Sequence, residues 1–254
     1  MTHTSGPMLV AVADEPAAIN ECAVLQPTDR HFDMVELRLD RFPGQRVGAC
    51  ADACRTLETT GVRVIASIRR SRHGGRYEGT TNECVSRYCD ALEIVSWADV
   101  QYEEADDAEL VARISDKVEY VPNGQIVVSY CDYERTPPLE WLLHQVEWSR
   151  SLADLKLLNG RPTKRAKDAI VTMATTVSSE SDVETLRNVG LTAPGRTCVV
   201  GMHASEQSQV ELAAVSVLAY GYWSNPIDEV QASVNQLHEG LLVVSEAYRR
   251  RHQR

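Results

Sequence analysis

The sequence predicts an α/β fold, a (β/α)8 TIM barrel. Three observations lead there. Short β-branched runs alternate with helical stretches along all 254 residues, which implies a parallel sheet. Several of those runs are almost wholly apolar, as strands are when both faces are buried. No GxGxxG follows the first run, which removes the main argument for an open nucleotide-binding sheet. Barrels of this length are routinely one domain, so residues 1–254 are read as a single domain.

Taken in order, strands are expected at 9–12, 34–39, 63–68 and 100–103, then at 125–130, 169–174 and 197–202, with a weak eighth near 218–222. Helices are expected at 51–59, 84–95, 108–114, 139–158, 182–189 and 230–250. Pro137 and Pro138 stop the fifth strand and suit the first turn of the helix that follows. Ser178, Ser179 and Ser181 are caps for the helix from Asp182. Arg249, Arg250, Arg251 and Arg254 end the last helix, where cations suit the helix dipole.

Composition narrows the function classes. Hydrophobic residues make up 43% and charged residues 24%, the balance of an ordinary globular protein. The net charge of -10 argues against nucleic acid and anionic membrane as partners. A local basic cluster, Arg69, Arg70, Arg72 and Arg76, still suits an acidic small molecule. No apolar run approaches a membrane span, and the first residues lack the basic and apolar regions of a signal peptide, so a cytoplasmic protein is expected. The seven cysteines include no CxxC pair, and most read as small buried thiols.

In a barrel, active sites lie at the C-terminal ends of the strands. That rule selects residues by itself. The second strand ends in Glu36, Arg38 and Asp40, and the third in Arg69, before a loop with His73, Gly74 and Gly75. The fourth ends near Glu103 and Glu104, and the fifth in Cys131 and Asp132. The sixth holds Thr172 and the seventh ends in His203. Cations, carboxylates, imidazoles and a thiol are enough for acid/base work on a polar small molecule. His203, His73 and Cys131 lack the spacing of a metal site, so no metal is expected. No nucleotide motif implies an organic cofactor either.

These residues permit a comparison. The run from Met34 to Asp40 resembles the "VELRxD" strand of type I 3-dehydroquinate dehydratases. Arg69 with Gly74-Gly75 resembles their strand-three arginine and "EGG" loop, and Ala98-Asp99 through Glu104 their "AD…DxE" strand. The run from Ser129 to Pro137 resembles "SYHDFxxTP", that from Asp168 to Ala174 "ADIxKIA", and Gln236 the glutamine of a late "SAPGQ" loop. The resemblance covers nearly the whole chain. It implies the barrel fold, a small-molecule substrate and a homodimer.

The departures fall on the reactive groups. The family's lysine forms an imine with the substrate ketone, and Thr172 stands in its place. Its general acid/base histidine is Cys131 here. The glutamate before the glycine pair is His73, and the fourth-strand aspartate reads as Tyr102. The arginine that should hold the substrate carboxylate is replaced by Glu206-Gln207-Ser208. Only four lysines exist: Lys117, Lys156, Lys164 and Lys167. The expected catalytic set is therefore His203, Cys131, His73 and Glu36, with Arg38, Arg69, Glu104, Thr172 and Gln236 binding substrate. The expected function is imine-free acid/base chemistry (elimination, isomerisation or cyclisation) on a small hydroxylated or carbonyl compound. The alternatives are a non-catalytic binding homologue and an authentic 3-dehydroquinate dehydratase with an altered mechanism.

Overall fold

The structure is a computed structural model that describes residues 6–42, 44, 47–102, 105–153, 169–193, 195–223 and 232–252. Eight parallel strands form one sheet: β1 (Met8–Ala13), β2 (Met34–Arg38), β3 (Arg63–Ser67), β4 (Trp97–Tyr102), β5 (Gln125–Asp132), β6 (Ile170–Thr176), β7 (Thr197–Met202) and β8 (Leu218–Tyr222). Their order is β7-β6-β5-β4-β3-β2-β1-β8. At the remaining seam the Val217 amide donates to the Thr197 carbonyl at 3.0 Å, and the Cys198 thiol to the Leu218 carbonyl at 3.0 Å. The sheet thus curls into a nearly closed (β/α)8 barrel, as the sequence predicts.

Helices lie outside the sheet: α1 (Pro16–Val24), α2 (Ala51–Thr59), α3 (Thr81–Leu92), α4 (Ala105–Glu119), α5 (Leu139–Ala153), α6 (Glu180–Thr192), α7 (Glu206–Ala214), α8 (Val234–Val244) and α9 (Glu246–His252). Polar residues start several of them. Thr80 with Glu83 and Ser233 with Gln236 form capping boxes, and Ser179 and Ser205 accept from the amides of Asp182 and Ser208. The sequence reading omits α1 and α7. Both have nine residues, and α7 has no clear apolar stripe, so periodicity gives little signal there. It also joins α8 and α9, which Ser245 separates in an extended conformation.

Two-residue alternation divides each strand between two cores. Val35, Leu37, Val64, Ala98, Val100 and Val128 point outward against the helices. Val10, Met34, Ile65, Val127, Ile170 and Leu218 fill the barrel interior. Closer to the C-terminal ends the inward positions turn polar: Glu36, Arg38, Asp99, Ser129 and Thr172 are all buried. This change from apolar packing to buried polar groups builds the site.

Candidate active site

The barrel mouth holds a pocket enclosing about 510 Å³, its open end included, inside the range of roughly 300–1,000 Å³ usual for small-molecule sites. Its polar wall comes from β2 to β6, with Glu36, Arg38, Arg69, Asp99, Cys131 and Thr172. The opposite wall is apolar and aromatic, with Val12, Val200, Met202, Tyr220 and Tyr222. Five of the sequence-selected residues, Glu36, Arg38, Arg69, Cys131 and Thr172, thus share one pocket, with Thr172 at its β6 side.

Asp40 organises the cationic side. One of its oxygens accepts from Arg38 Nε at 3.1 Å and from the Arg69 amide at 3.3 Å. The other accepts from Arg38 Nη2 at 3.1 Å and from the Arg76 amide at 3.2 Å. This bidentate pair is buried on both sides, so Arg38 is committed to Asp40 and the β3 loop is tied to β2. The loop then doubles back on itself. A Cβ on Gly75 would stand 1.9 Å from the Arg69 carbonyl oxygen, so only glycine fits there. Gly74 has φ +72°, and the Tyr133 ring lies against it.

Arg69 is the cation that the pocket keeps for other work. Burial opposes its charge, but Cys131, Glu36, Tyr133 and Asp99 outweigh that and raise its pKa well above the usual value. The Asp99 pKa is also raised, which for a carboxyl disfavours the charged form. Burial and the neighbouring Glu36 push its carboxyl up to about 7, although Arg69, a hydrogen bond from Ser129 and Arg38 pull it down. The Ser129 hydroxyl donates to Asp99 Oδ1 at 2.5 Å. Glu36 is 1% exposed, and its Oε1 has no hydrogen-bond partner among the described residues.

Strand four requires a correction. The sequence reading begins it at Val100 and takes Tyr102 as the lost aspartate. The strand begins at Trp97, and odd-numbered residues point inward. The Tyr102 side chain faces α5, with Ser149 Oγ at 2.7 Å and Gln145 Oε1 at 3.1 Å. Asp99 supplies the pocket carboxylate instead. Glu104, expected to bind substrate, lies outside the described residues.

Other expected residues separate. His203 follows β7 with φ +64° and is exposed, and it is not among the pocket-lining residues. The reason is local: the backbone turns left-handed at His203, so the side chain does not continue the inward row of Val200 and Met202. Gln236 sits in the first turn of α8, where it closes the capping box and donates to Glu206 Oε2 at 2.8 Å. His73 ends a short 3-10 turn after β3, and its side chain lies outside the described residues. Thr172 is in the pocket, facing Cys198 and Tyr220. Lys117 is in the last turn of α4. Lys156, Lys164 and Lys167 lie outside the described residues.

Sequence reasoning missed Asp99 and Ser129 as pocket residues. Counting back by two from Cys131 finds Ser129, and the same alternation anchored on Trp97 finds Asp99. Tyr133 faces Cys131, Arg69 and Gln101 from the loop after β5. No group of three or more metal-ligating side chains occurs among the described residues.

Comparisons with known proteins agree with this geometry. Solved structures share the fold: the 3-dehydroquinate dehydratase of Aquifex aeolicus, with a TM-score of 0.73 at 18% identity, covers 94% of this chain and 100% of its own. The type I 3-dehydroquinate dehydratase of Clostridium difficile has a TM-score of 0.72 at 15% identity over 94% of this chain and 93% of its own. The 3-dehydroquinate dehydratase of Methanocella arvoryzae is 28% identical over 214 residues, which are 84% of this chain and 87% of that protein. That of Methanopyrus kandleri is 30% identical over 119 residues, 47% of this chain and 50% of its own. The sequence profile described as type I 3-dehydroquinase matches residues 10–192, well over half of the molecule, so the chain belongs to that family.

Proposed function

We propose that the protein is a lyase that removes water from 3-dehydroquinate or a close β-hydroxy ketone through an enolate, without an imine. One observation carries the reading: Asp99, with its pKa raised to about 7, and the Arg69 cation face the pocket whose β6 side offers Thr172 in place of an amine. A base is most useful when its pKa lies near the working pH. A fixed cation in a water-poor site stabilises a developing oxyanion. Relatives named as 3-dehydroquinate dehydratases support the substrate class.

In this reading the Asp99 carboxylate takes the proton next to the ketone. The C–H electron pair moves into the enolate, whose oxygen rests on the Arg69 guanidinium. The enolate then reforms the ketone with a conjugated double bond as the β-hydroxyl leaves with a proton as water. The unpartnered Glu36 Oε1 accepts from a ring hydroxyl and holds the substrate in register. The test is a continuous absorbance assay for the enone with 3-dehydroquinate, run beside Asp99→Asn. Enone formation by the native protein alone supports the proposal. No enone from either protein refutes it.

A second reading, a ligand-binding homologue without turnover, draws on Thr172, which cannot form the family's imine. Calorimetric binding of 3-dehydroquinate with no enone formed would favour it.

A further inference from the structure

Thr172 has no task in the enolate route described above. It lines the pocket from β6 and is 6% exposed, yet its Oγ1 makes no hydrogen bond among the described residues. A hydroxyl left unmet at a pocket wall costs the empty protein free energy, which a ligand atom recovers by completing the bond. Its register neighbour Cys198 on β7 does not take that place, since the thiol donates to the Leu218 carbonyl at 3.0 Å.

Strand register places the hydroxyl relative to the base. Thr172 is the register partner of Ser129 on β5. Ser129 Oγ in turn reaches Asp99 on β4 at 2.5 Å. Arg69 follows β3, on the other side of Asp99. Round the wall the order is therefore Arg69, Asp99, Ser129, Thr172, on successive strands about 4.8 Å apart. A β-hydroxy ketone presents matching groups in that order. Its acidic carbon lies between the carbonyl carbon and the carbon that bears the hydroxyl. With Asp99 at the C–H and Arg69 at the carbonyl oxygen, the hydroxyl falls on the Thr172 side.

We propose that the Thr172 hydroxyl donates a hydrogen bond to the substrate's β-hydroxyl and holds that oxygen as it departs. The inference rests on the enolate reading. In the step, the C–O bond breaks and its electron pair stays on oxygen. The proton that Asp99 took from carbon passes to that oxygen, water leaves, and the Asp99 carboxylate is restored. Thr172 keeps its own proton, and its bond stabilises the negative charge that grows on the departing oxygen.

Thr172→Val removes the hydroxyl at nearly constant shape. With 3-dehydroquinate, kcat/KM should fall about 10–100-fold. The Tm should stay at or above native, because the lost group strands no partner in the protein. Thr172→Ser, which restores a hydroxyl, should recover most of the loss. A kcat/KM within about twofold of native for Thr172→Val, or a lower Tm for it, would overturn the proposal. Calorimetry identifies the oxygen that is held. Thr172→Val should bind 3-dehydroquinate about fivefold more weakly than native, yet bind the enone product, which lacks the β-hydroxyl, equally well. Equal weakening for both ligands, or for neither, contradicts the contact. If the native protein shows no turnover, the enolate reading fails separately, and the same pair of affinities still decides where the Thr172 hydroxyl goes. No binding of 3-dehydroquinate by the native protein overturns both.

Discussion

Asp99 is the residue whose environment does most to shape the proposed chemistry. In the unfolded chain its carboxyl titrates near 3.8, and in the fold near 7. Between these values the folded state holds the extra proton, so stability falls as pH rises, by at most about 1.4 kcal/mol per unit. Activity has the opposite slope, because the base must be ionised. The value of kcat/KM should therefore climb through neutrality and level off above pH 7. Asp99→Asn should lose roughly 10²–10⁴-fold in rate, yet melt no lower than native at pH 8. A normal rate, or a lower Tm at pH 8, would contradict this assignment. The sequence displays Asp99 but not its burial or its neighbours Glu36 and Arg69, which come from two other strands. Its role could not be read before the strands were in register. Glu36, Arg38, Arg69, Cys131 and Thr172 were legible because they lie in or just after strands whose apolar runs mark them plainly. His203 was not, since a left-handed backbone residue outside glycine gives no clear sequence signal.

At the scale of elements, the register of β4 separates a structural tyrosine from a functional carboxylate. Tyr102 bonds across to α5, where Ser149 keeps a second bond to the Gln145 carbonyl at 2.7 Å. Tyr102→Phe should cost about 1 kcal/mol of stability and leave turnover intact, as denaturant unfolding and the enone assay would show. Loss of activity would put Tyr102 back in the site. The β3 loop makes a sharper case. Asp40→Ala would strand the buried Arg38 charge and release the Arg69 and Arg76 amides. Breaking such a buried pair costs roughly 3–5 kcal/mol. Gly75→Ala would drive a Cβ into the Arg69 backbone, so it should displace Arg69 and lower both ligand affinity and Tm. Native affinity in Gly75→Ala would show that the loop does not position Arg69. The glycine pair was legible in the sequence as a turn, but the close approach to Arg69 was not.

The whole barrel was the most legible level, because strand and helix periods repeat through the chain and each local choice agrees with the global fold. What the sequence could not supply is which polar groups would share one mouth, since convergence depends on strand tilt and side-chain alternation together. We propose, on the family resemblance, that two chains associate, and light scattering at twice the 28.2 kDa chain mass would support this while the monomer mass would refute it. Among the described residues, no helix is long and apolar enough to cross a membrane. The central claim is that this member of the family eliminates water without a covalent intermediate. Borohydride trapping during turnover of 3-dehydroquinate, read by intact-protein mass alongside enone absorbance, tests it most directly. Enone formation with no mass increase is the expected result. A borohydride-stable adduct on Lys117, Lys156, Lys164 or Lys167 would restore the imine route, and no enone at all would contradict the catalytic claim itself.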